Sequence, residues 1–411
     1  MPLSIDEQVA LLMQGTEYGD AQVQRAMAEE LRERLASAAG ERRPLRIYCG
    51  YDPTSADLHL GHTVTMRKLR QFQDLGHQVV FLIGDYTARV GDPSDKDKLR
   101  PQLSEAQIEA NGRTYAEQAY RILDRERTEV RHNSEWLSKL TFAEMIRLAS
   151  NFTLQQFITR DNFRLRWERG DAVYLHETFY AVMQGYDAYS LQADVQVGGS
   201  EQLFNILTAA RKVMEYLGAR PNVGVLTGIL PGTDGVVRMS KSLGNHIPLL
   251  AGADDMYGKV MSLPDAAMPV YMRLLSRWSP DEIHRLEADL AGGGAHPRDV
   301  KMSLAREIVS IYHGEASAEL AQDAFRRVFQ QSDLPETMPE MAVEGSPRLV
   351  DWMAEHGLAR SRSEARRLIE QGGVKLDGAG VSDMDLTLTL AHEVVLQVGK
   401  RRFVRLTRMR K

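Results

Sequence analysis

The chain has 411 residues, enough for two or three domains whose cores need no disulfide or metal for stability. Hydrophobic residues make up 43% and charged residues 26%, which is typical of a globular protein, and no run approaches the ~20 apolar residues of a membrane span. The net charge is -5, and the single cysteine, Cys49, excludes an intrachain disulfide or a multi-cysteine zinc site, so we expect a cytoplasmic protein without a secretory signal.

Hydrophobic periodicity predicts alternating helices and strands in the first 245 residues. The first forty residues are predicted to be helical, and Gly40 ends the run. The elements that follow are a strand at 45–49, a helix over 58–75, a strand at 79–83, a helix near 104–124, a strand near 129, helices through 151–189, a strand at 192–197, a helix over 201–217 and a strand at 223–226. This alternation predicts a parallel sheet with helices on both faces, and ligands at the carboxyl ends of its strands.

The pattern changes after residue 245. Residues 246–333 are predicted to be mainly helical, and residues 334–347, with three prolines and several acids, to be a linker. A small domain over 348–411 follows, with these predicted elements: helices at 349–356 and 363–371, and short strands ending at 394–406. From Ser346 onward the chain carries 13 Lys and Arg against 8 Asp and Glu, so we expect any polyanion to bind at this end.

A strand-to-helix turn carries two histidines. The strand ends at Gly50, the chain turns through Asp52, and His59 and His62 share one face of the helix that begins there. Imidazoles at this place can donate hydrogen bonds to phosphate oxygens, while the helix N-terminus adds positive potential and Gly61 lets a flat base lie close to the backbone. A metal-binding pair or two surface histidines are the alternatives.

A glycine-rich loop after the last strand of the sheet carries Arg238, Lys241 and two serine hydroxyls. Such a loop can close over a triphosphate and stabilise charge as pyrophosphate leaves. Solvated surface lysines are the alternative.

Together the two segments resemble the HIGH and KMSKS signatures of class I aminoacyl-tRNA synthetases, in the same order: His59-Leu60-Gly61-His62 and Arg238-Met239-Ser240-Lys241-Ser242. Four further segments narrow the resemblance to the bacterial tyrosyl-tRNA synthetases over essentially the whole chain: Gly91-Asp92-Pro93-Ser94, Asn133-Ser134-Glu135-Trp136, Gln184-Gly185-Tyr186-Asp187 and the residues from Gln196 to Gln202. The resemblance implies an α/β fold with a Rossmann-like catalytic domain (1–245), a helical domain on the anticodon-stem side (246–333) and a C-terminal α+β RNA-binding domain.

The resemblance also implies a role for each matching residue. Tyr48 and Asp187 match the pair that hydrogen-bonds the phenol of the substrate L-tyrosine, and Gln202 lies near its carboxyl end. The groups around the substrate ammonium are Asp92, Tyr180 and Gln184. The ATP-binding residues are Cys49, Gly50, Asp52, Gly199, Glu201 and Ser242, together with His59, His62 and Lys241. The catalytic groups that face the phosphates are Thr54, His59, His62, Lys96, Arg100, Arg238 and Lys241.

The implied reaction needs no nucleophilic side chain, because the carboxylate of the substrate is already ionised at neutral pH and attacks the α-phosphate of ATP itself. Positioning and electrostatics suffice, with magnesium carried by ATP and no protein-bound metal. In the second step the terminal ribose of tRNA(Tyr) attacks the activated carbonyl and AMP leaves. The buried carboxylate of Asp187 needs a donor, which the hydroxyl of tyrosine supplies and phenylalanine lacks.

Four features depart from the usual family pattern. Arg238 replaces a lysine, which keeps the charge and changes the donor geometry, and Leu60 replaces an isoleucine that merely packs. Glu201 stands where aspartate is common in the family. Asp95 and Asp97 weaken the basicity of the segment that carries Lys96 and Arg100.

The C-terminal basic segment resembles the small RNA-binding domain that certain ribosomal proteins and pseudouridine synthases share. Its predicted RNA-binding residues lie along one helix and the strand that follows: Arg360, Arg362, Arg366, Arg367 and Lys375. Phosphate contacts from such a helix would give salt-dependent, shape-directed affinity for folded RNA. A solvated arginine-rich face is the alternative.

Two other functions compete with tyrosine–tRNA ligation. A tryptophanyl enzyme has a similar body, but Asp187 with Tyr48 favours a phenol over an indole. A non-catalytic RNA-binding protein need not retain His59, His62 and Lys241. Tyrosine-dependent ATP–pyrophosphate exchange separates these hypotheses. The resemblance further implies a homodimer, for which residues near 130–170 are candidates, and no membrane or DNA partner.

Overall fold

The computed structural model describes residues 3–54, 57–94, 104–330, 338–390, 393–399 and 402–408. The backbone forms two compact units, Met1–Gln322 and Asp323–Lys411. In the part of the chain that is described, no helix is both long enough and apolar enough to cross a membrane.

Five parallel strands form the sheet of the first unit, as far as its described residues extend. They are β1 (Arg46–Tyr51), β2 (Gln78–Ile83), β3 (Thr128–His132), β4 (Val195–Gly199) and β5 (Val223–Thr227). Their order is β3-β2-β1-β4-β5, which confirms the predicted parallel α/β arrangement. The apolar run from Val79 to Ile83 is buried throughout, as expected for a strand covered on both faces.

The sheet opens between β1 and β4, where the direction of winding reverses. These two strands pair only at Ile47–Val195 and Tyr48–Gln196, whereas β1 pairs with β2 along its whole length. The carboxyl ends of β1 and β4 therefore separate. A crevice at this switch point is where doubly wound sheets bind their ligands.

Helices connect the strands. Before and between them lie α1 (Ile5–Met13), α2 (Ala21–Gly40), α3 (Leu60–Asp74), α4 (Glu105–Ala119), α5 (Ser134–Leu137), α6 (Phe142–Ala149), α7 (Leu154–Ile158), α8 (Asp161–Arg169), α9 (Leu175–Ser190) and α10 (Arg211–Tyr216). Short 3₁₀ turns cover Thr87–Arg89, Arg125–Arg127, Ser200–Gln202 and Asp265–Ala267. The helical segment predicted after the sheet is confirmed as α11 (Ala253–Met261), α12 (Met268–Leu275), α13 (Pro280–Gly292), α14 (Pro297–His313) and α15 (Glu315–Gln330).

Two predicted helices differ from the structure. The first forty residues form two helices rather than one, because the backbone takes φ angles of 71° at Gly15 and 70° at Gly19 between α1 and α2. The predicted helix over 201–217 begins as a 3₁₀ turn and continues as a π-helical stretch, Phe204–Ala210, before α10. The π-helical stretch packs beside α9.

After α15, the described residues of the second unit form a mixed sheet and two helices. Its elements are β6 (Glu340–Val343), α16 (Leu349–Glu355), α17 (Arg362–Glu370), β7 (Val374–Leu376), β8 (Ala379–Gly380), β9 (Val394–Val398) and β10 (Arg402–Arg408). The strand order is β6-β10-β9-β7-β8, with β6 parallel to β10 and the other pairs antiparallel. Both helices pack their apolar residues, including Leu349, Trp352 and Ile369, against buried Leu396 and Leu406. This confirms the predicted α+β domain.

The division between the two compact units falls after Gln322, inside α15. The end of the helical domain at residue 333 stays a prediction. The linker prediction is corrected at β6, which adds an edge strand to the C-terminal sheet; Val343 is buried and Met341 packs on the same core. The prolines and acids around this short strand conceal its alternating pattern. The division of the first unit into domains 1–245 and 246–333 stays a prediction.

Candidate active site

The carboxyl edge of the sheet collects most of the predicted site residues. Tyr48, Cys49 and Gly50 belong to β1, and Asp52 directly follows it. Four other places contribute further predicted residues: His59 and His62 from the start of α3, Asp92 from the loop after β2, Gly199, Glu201 and Gln202 from the end of β4 and the turn after it, and Tyr180, Gln184 and Asp187 from α9.

Asp187 lies on α9 and is only 3% exposed. Its carboxylate accepts hydrogen bonds from the indole Nε1 of Trp136 at 2.7 Å and the amide Nδ2 of Asn133 at 3.2 Å. Burial raises the pKa of Asp187 to about 8, although both hydrogen bonds favour the ionised form. A carboxylate has about four lone-pair sites, so the group can still accept a bond from a ligand.

Tyr48 is buried close to Asp187. Burial, and then the neighbouring carboxylate, hold the pKa of Tyr48 well above its usual value, so its hydroxyl stays a donor; it lies 3.4 Å from the carbonyl oxygen of Gln184. Tyr180 donates from its hydroxyl to Oδ2 of Asp52 at 3.0 Å. The side-chain Oε1 of Gln184 is buried and has no partner among the described residues. An unpaired buried acceptor is costly unless a ligand supplies a donor.

A second polar cluster surrounds Asp92. Gln202 donates to Oδ2 of Asp92 at 2.7 Å, and Oδ1 accepts the backbone N–H of Ser94 at 2.8 Å. Asn205 donates both to Gln202, at 2.9 Å, and to the hydroxyl of Ser94. Arg160 bonds the same hydroxyl at 3.0 Å, and burial lowers the pKa of its guanidinium to about 10. These contacts hold the loop after β2 against the end of β4.

The two histidines of the first signature are fixed by backbone donors. Nδ1 of His59 accepts the N–H of Gly61, and Nδ1 of His62 accepts the N–H of His59, both at 3.2 Å. The ring centroids are 3.9 Å apart, and a third imidazole, His246, lies 6.1 Å from His59. Because Nδ1 is the acceptor, the neutral ring carries its proton on Nε2, which is therefore a donor. Burial lowers the pKa of His59 to about 2, so this ring stays neutral.

The second signature lies in a braced loop. Lys241 Nζ is 3.5 Å from Oδ2 of Asp57, just before α3. Asn245 donates to Asp234 at 2.5 Å and to the carbonyl of Arg238 at 3.2 Å, and it accepts the N–H of Ser240. Met239 packs beside Gly61, since a Cβ on that glycine would lie 3.5 Å from the Met239 Cβ. The loop thus meets the start of α3.

Of the other residues predicted to bind ATP, Cys49 and Gly50 lie on β1, and Gly199 ends β4. Gly50 is exposed, whereas Cys49 is buried, and burial raises the pKa of its thiol to about 12. A side chain at Gly199 would overlap the Glu201 carboxylate. Thr54 is half-buried and Ser242 is exposed. Lys96 and Arg100 lie outside the described residues.

The predicted RNA-binding side chains are all exposed in the second unit: Arg360, Arg362, Arg366, Arg367 and Lys375. Arg362 is partly engaged, because its Nε is 2.8 Å from Asp351.

Sequence reasoning missed several residues that support the site. They are Asp57, Thr87, Asn133, Trp136, Asn205 and Asn245. Asn133 and Trp136 lie in a segment that matches the family, which is a signal that they matter, but their contact with Asp187 follows only from the fold.

A separate cavity of about 430 Å³ lies at the opposite edge of the sheet. Arg34, Arg43, Asp194 and Arg220 line it, and they stand before the strands rather than after them. None of the described residues that are predicted to be catalytic or substrate-binding line it.

A doubly wound sheet with paired imidazoles at its switch point and a lysine loop against them defines a class I aminoacyl-tRNA synthetase. A family model described as "tRNA synthetases class I (W and Y)" matches residues 40–330, and an S4 domain model matches residues 347–389. The S4 match agrees with the predicted C-terminal RNA-binding fold.

Proteins that are similar to this chain over nearly its whole length narrow the class of synthetase to one family. The chain is 47% identical to the "Tyrosine--tRNA ligase" of Moorella thermoacetica, covering 98% of this chain and 97% of that one. It is 45% identical to the "Tyrosine--tRNA ligase" of Thermotoga maritima, covering 92% and 93%. The chain belongs to the tyrosine–tRNA ligase family.

Solved structures share the fold. A C-terminally truncated mitochondrial tyrosyl-tRNA synthetase of Aspergillus nidulans has a TM-score of 0.62 at 24% identity, over 79% of this chain and 94% of that one. A tyrosyl-tRNA synthetase of Archaeoglobus fulgidus, complexed with L-tyrosine, has a TM-score of 0.58 at 22% identity, over 78% and 100%.

Proposed function

We propose that the crevice activates L-tyrosine with ATP to tyrosyl-adenylate, and that the chain then transfers the tyrosyl group to the 3′-terminal ribose of tRNA. This is the reaction of the family to which the chain belongs. Two observations carry the residue assignments: the buried carboxylate of Asp187 is a close neighbour of Tyr48, and His59, His62 and Lys241 lie together at the start of α3.

The phenol of the substrate is assigned to Asp187 and Tyr48. Asp187 already accepts bonds from Trp136 and Asn133, which fix the orientation of its carboxylate before the ligand arrives. A phenol hydroxyl adds the third donor. Phenylalanine would bury the same carboxylate with only its two protein donors, and a hydrogen bond to a buried charged group that is left unmade costs about 1–3 kcal/mol.

The ammonium of the substrate is assigned to Gln184, Tyr180 and Asp92. The support is the buried, unpaired Oε1 of Gln184, which is an acceptor of the kind an ammonium satisfies. Asp92 contributes negative charge and is positioned by Gln202. Placing the ammonium there directs the carboxylate of the substrate toward Gln202, which ends the 3₁₀ turn that follows β4.

The phosphates of ATP, bound as the magnesium complex, are assigned to the two signatures. The Nε2–H groups of His59 and His62 donate without requiring a positive charge, and the N-terminus of α3 adds potential. Lys241 is held by Asp57 at 3.5 Å on the surface, a weak pairing that a triphosphate can displace. Lys241 and Arg238 would then stabilise the charge that develops as pyrophosphate leaves.

The rate enhancement comes from position and electrostatics. The attacking carboxylate is ionised at neutral pH, so no side chain has to remove a proton in the first step. Holding it in line with the α-phosphate lowers the entropic part of the barrier. The adenosine is assigned to the glycine-lined opening between β1 and β4, at Gly50, Gly199 and Glu201. Because ATP and tRNA are cytoplasmic substrates, we place the reaction in the cytoplasm.

The second unit is assigned to tRNA binding. Its exposed arginines on and beside α17 suit phosphate contacts, and the S4 match supports RNA as the ligand. Replacing Arg366 and Arg367 together with alanine should lower the affinity for tRNA and reduce the slope of log affinity against log salt by about two. An unchanged salt slope would refute this assignment.

The interface of a homodimer is assigned to the first unit. Several large apolar side chains within residues 142–175 are more than half exposed: Phe142, Ile146, Leu154, Trp167 and Leu175. Exposed apolar groups in this number mark an association surface, and a second copy of the chain is the occupant proposed here. Sedimentation should give a dimer, and Phe142→Asp should weaken it. The control Leu320→Asp changes an exposed leucine on α15 outside this segment and should leave the dimer intact.

The assay that tests the proposed function is ATP–pyrophosphate exchange with tyrosine, tryptophan or phenylalanine. We expect exchange with tyrosine and much less with the other two. Exchange driven by tryptophan, or none with any amino acid, would overturn the proposal.

A further inference from the structure

The carboxylates of Asp187 and Asp52 are joined by hydrogen bonds through two neutral side chains, those of Asn133 and Thr87. The Nδ2 group of Asn133 donates to Oδ2 of Asp187 at 3.2 Å and to the hydroxyl oxygen of Thr87 at 3.0 Å. The Thr87 hydroxyl in turn donates to Oδ1 of Asp52 at 2.8 Å. The chain of bonds therefore runs from Asp187, to which the substrate phenol is assigned, to Asp52, which is predicted to bind ATP.

The direction of each bond is fixed. An ionised carboxylate only accepts hydrogen bonds, so the Thr87 hydroxyl donates its one hydrogen bond to Asp52 and accepts a hydrogen bond from Asn133. The amide of Asn133 cannot be reversed without loss, because its Oδ1 accepts the backbone N–H of Tyr86 at 2.9 Å. The far oxygen of Asp52 accepts the Tyr180 hydroxyl.

The bridge is buried and tightly packed. Thr87 is 2% exposed and Asn133 is 1% exposed, so water cannot readily replace either bond. A side chain at Gly84 would overlap both the Asp52 carboxylate and the Thr87 hydroxyl, so a residue without a side chain is needed there. The bridge also spans the carboxyl ends of three neighbouring strands, since Asp52 follows β1, Thr87 follows β2 and Asn133 follows β3.

We propose that Thr87 is a positioning residue that couples tyrosine binding at Asp187 to ATP binding beside Asp52. This rests on the proposed function. A phenol that binds Asp187 shares its carboxylate with Asn133, and any shift of the Asn133 amide reaches Asp52 through the single hydroxyl of Thr87. The two ligands then favour each other, and by linkage each changes the affinity of the other by the same factor.

The test measures this factor directly. Tyrosinol lacks the carboxylate that attacks ATP, so tyrosinol and magnesium-ATP bind together without reacting. For the wild-type chain we expect ATP to tighten tyrosinol binding, and tyrosinol to tighten ATP binding, by the same factor of about five or more. In Thr87→Val, which keeps the shape and removes the hydroxyl, the factor should fall at least ~twofold, and the path from Tyr180 to Asp52 carries whatever coupling remains. Thr87→Ser should restore it.

The matched control is Thr128→Val. The Thr128 hydroxyl also accepts an amide, from Gln73 at 2.8 Å, and donates to an oxygen, that of Asp124 at 2.6 Å, but it lies at the opposite edge of the sheet. This variant should keep the wild-type factor. Thr87→Ala serves as a second variant if the valine methyl group disturbs Asp52, and it should show the same fall in the factor.

Three outcomes would overturn the inference: a wild-type factor of one, a factor that is undiminished in both Thr87→Val and Thr87→Ala, or equal loss in Thr128→Val. Failure of the proposed function is distinguishable, because it shows as an absence of tyrosine-dependent pyrophosphate exchange by the wild-type chain. Exchange with unaltered coupling in the Thr87 variants refutes only this inference.

Discussion

Lowering the pH from 8 to 6 should weaken tyrosine binding through the protonation of Asp187. Three donors converge on its carboxylate when the phenol is bound, and a protonated acid has lost part of its acceptor capacity. With a pKa of about 8 in the free protein, one unit of pH below that value costs about 1.4 kcal/mol to ionise the group. The dissociation constant should therefore rise about tenfold at pH 7 and about a hundredfold at pH 6, relative to the ionised form.

Calorimetry without ATP, in buffers of different ionisation enthalpy, measures both the affinity and the protons released. Close to one proton should leave for each tyrosine bound at pH 7, because the ligand selects the ionised form. Asp187→Asn should bind more weakly and show no such slope. His132, whose pKa is raised by its hydrogen bond to Asp85, is another nearby titrating group, and His132→Asn should keep the slope. A constant affinity without proton release would refute the assignment of the phenol to Asp187.

Three further changes test other parts of the site and its scaffold. Lys241→Ala should slow adenylate formation in stopped-flow fluorescence while the tyrosine dissociation constant stays within about twofold, since its charge acts on the phosphates; a wild-type rate would remove its assigned role. Gly61→Ala should raise the KM for ATP, because the new Cβ would lie 2.9 Å from Cε1 of His59, whereas Gly40→Ala, with nothing within 4 Å, should not. Arg166→Met should lower the free energy of unfolding by about 3–5 kcal/mol in thermal melts, because it leaves the Glu177 carboxylate buried without its partner at 2.7 Å. As the control, Arg164→Met breaks the exposed pair of Arg164 with Glu168 and should cost less than about 1 kcal/mol. Equal losses in the two variants would contradict this reasoning.

The bracing of Asp187 shows why the raised pKa does not prevent binding. Trp136 and Asn133 are both uncharged donors, so they orient the carboxylate without neutralising it as an arginine would. The group is therefore poised between its two protonation states near neutral pH. The hydrogen bond from a phenol then needs to contribute only a modest free energy to ionise Asp187.

The sequence by itself determined the features that depend on neighbouring residues. The buried run of β2, the helix that His59 and His62 begin, and the parallel α/β class all follow from periodicity and from short signatures. The orientation of the two imidazoles is also local, because the N–H groups that fix them belong to His59 and Gly61. Local signals failed where glycines with positive φ divided the first helix, and where β6 was too short to show a period.

Only the tertiary structure decided which residues support the site. Thr87, Asn133 and Asp52 are distant in sequence, and they meet because β1, β2 and β3 are neighbours whose carboxyl ends share one edge. The separation of β1 from β4 beyond Tyr48 likewise depends on strand pairing that no single segment encodes. Periodicity reports which face of an element is apolar, whereas the partner of each polar side chain is set by the order and register of strands from distant parts of the chain.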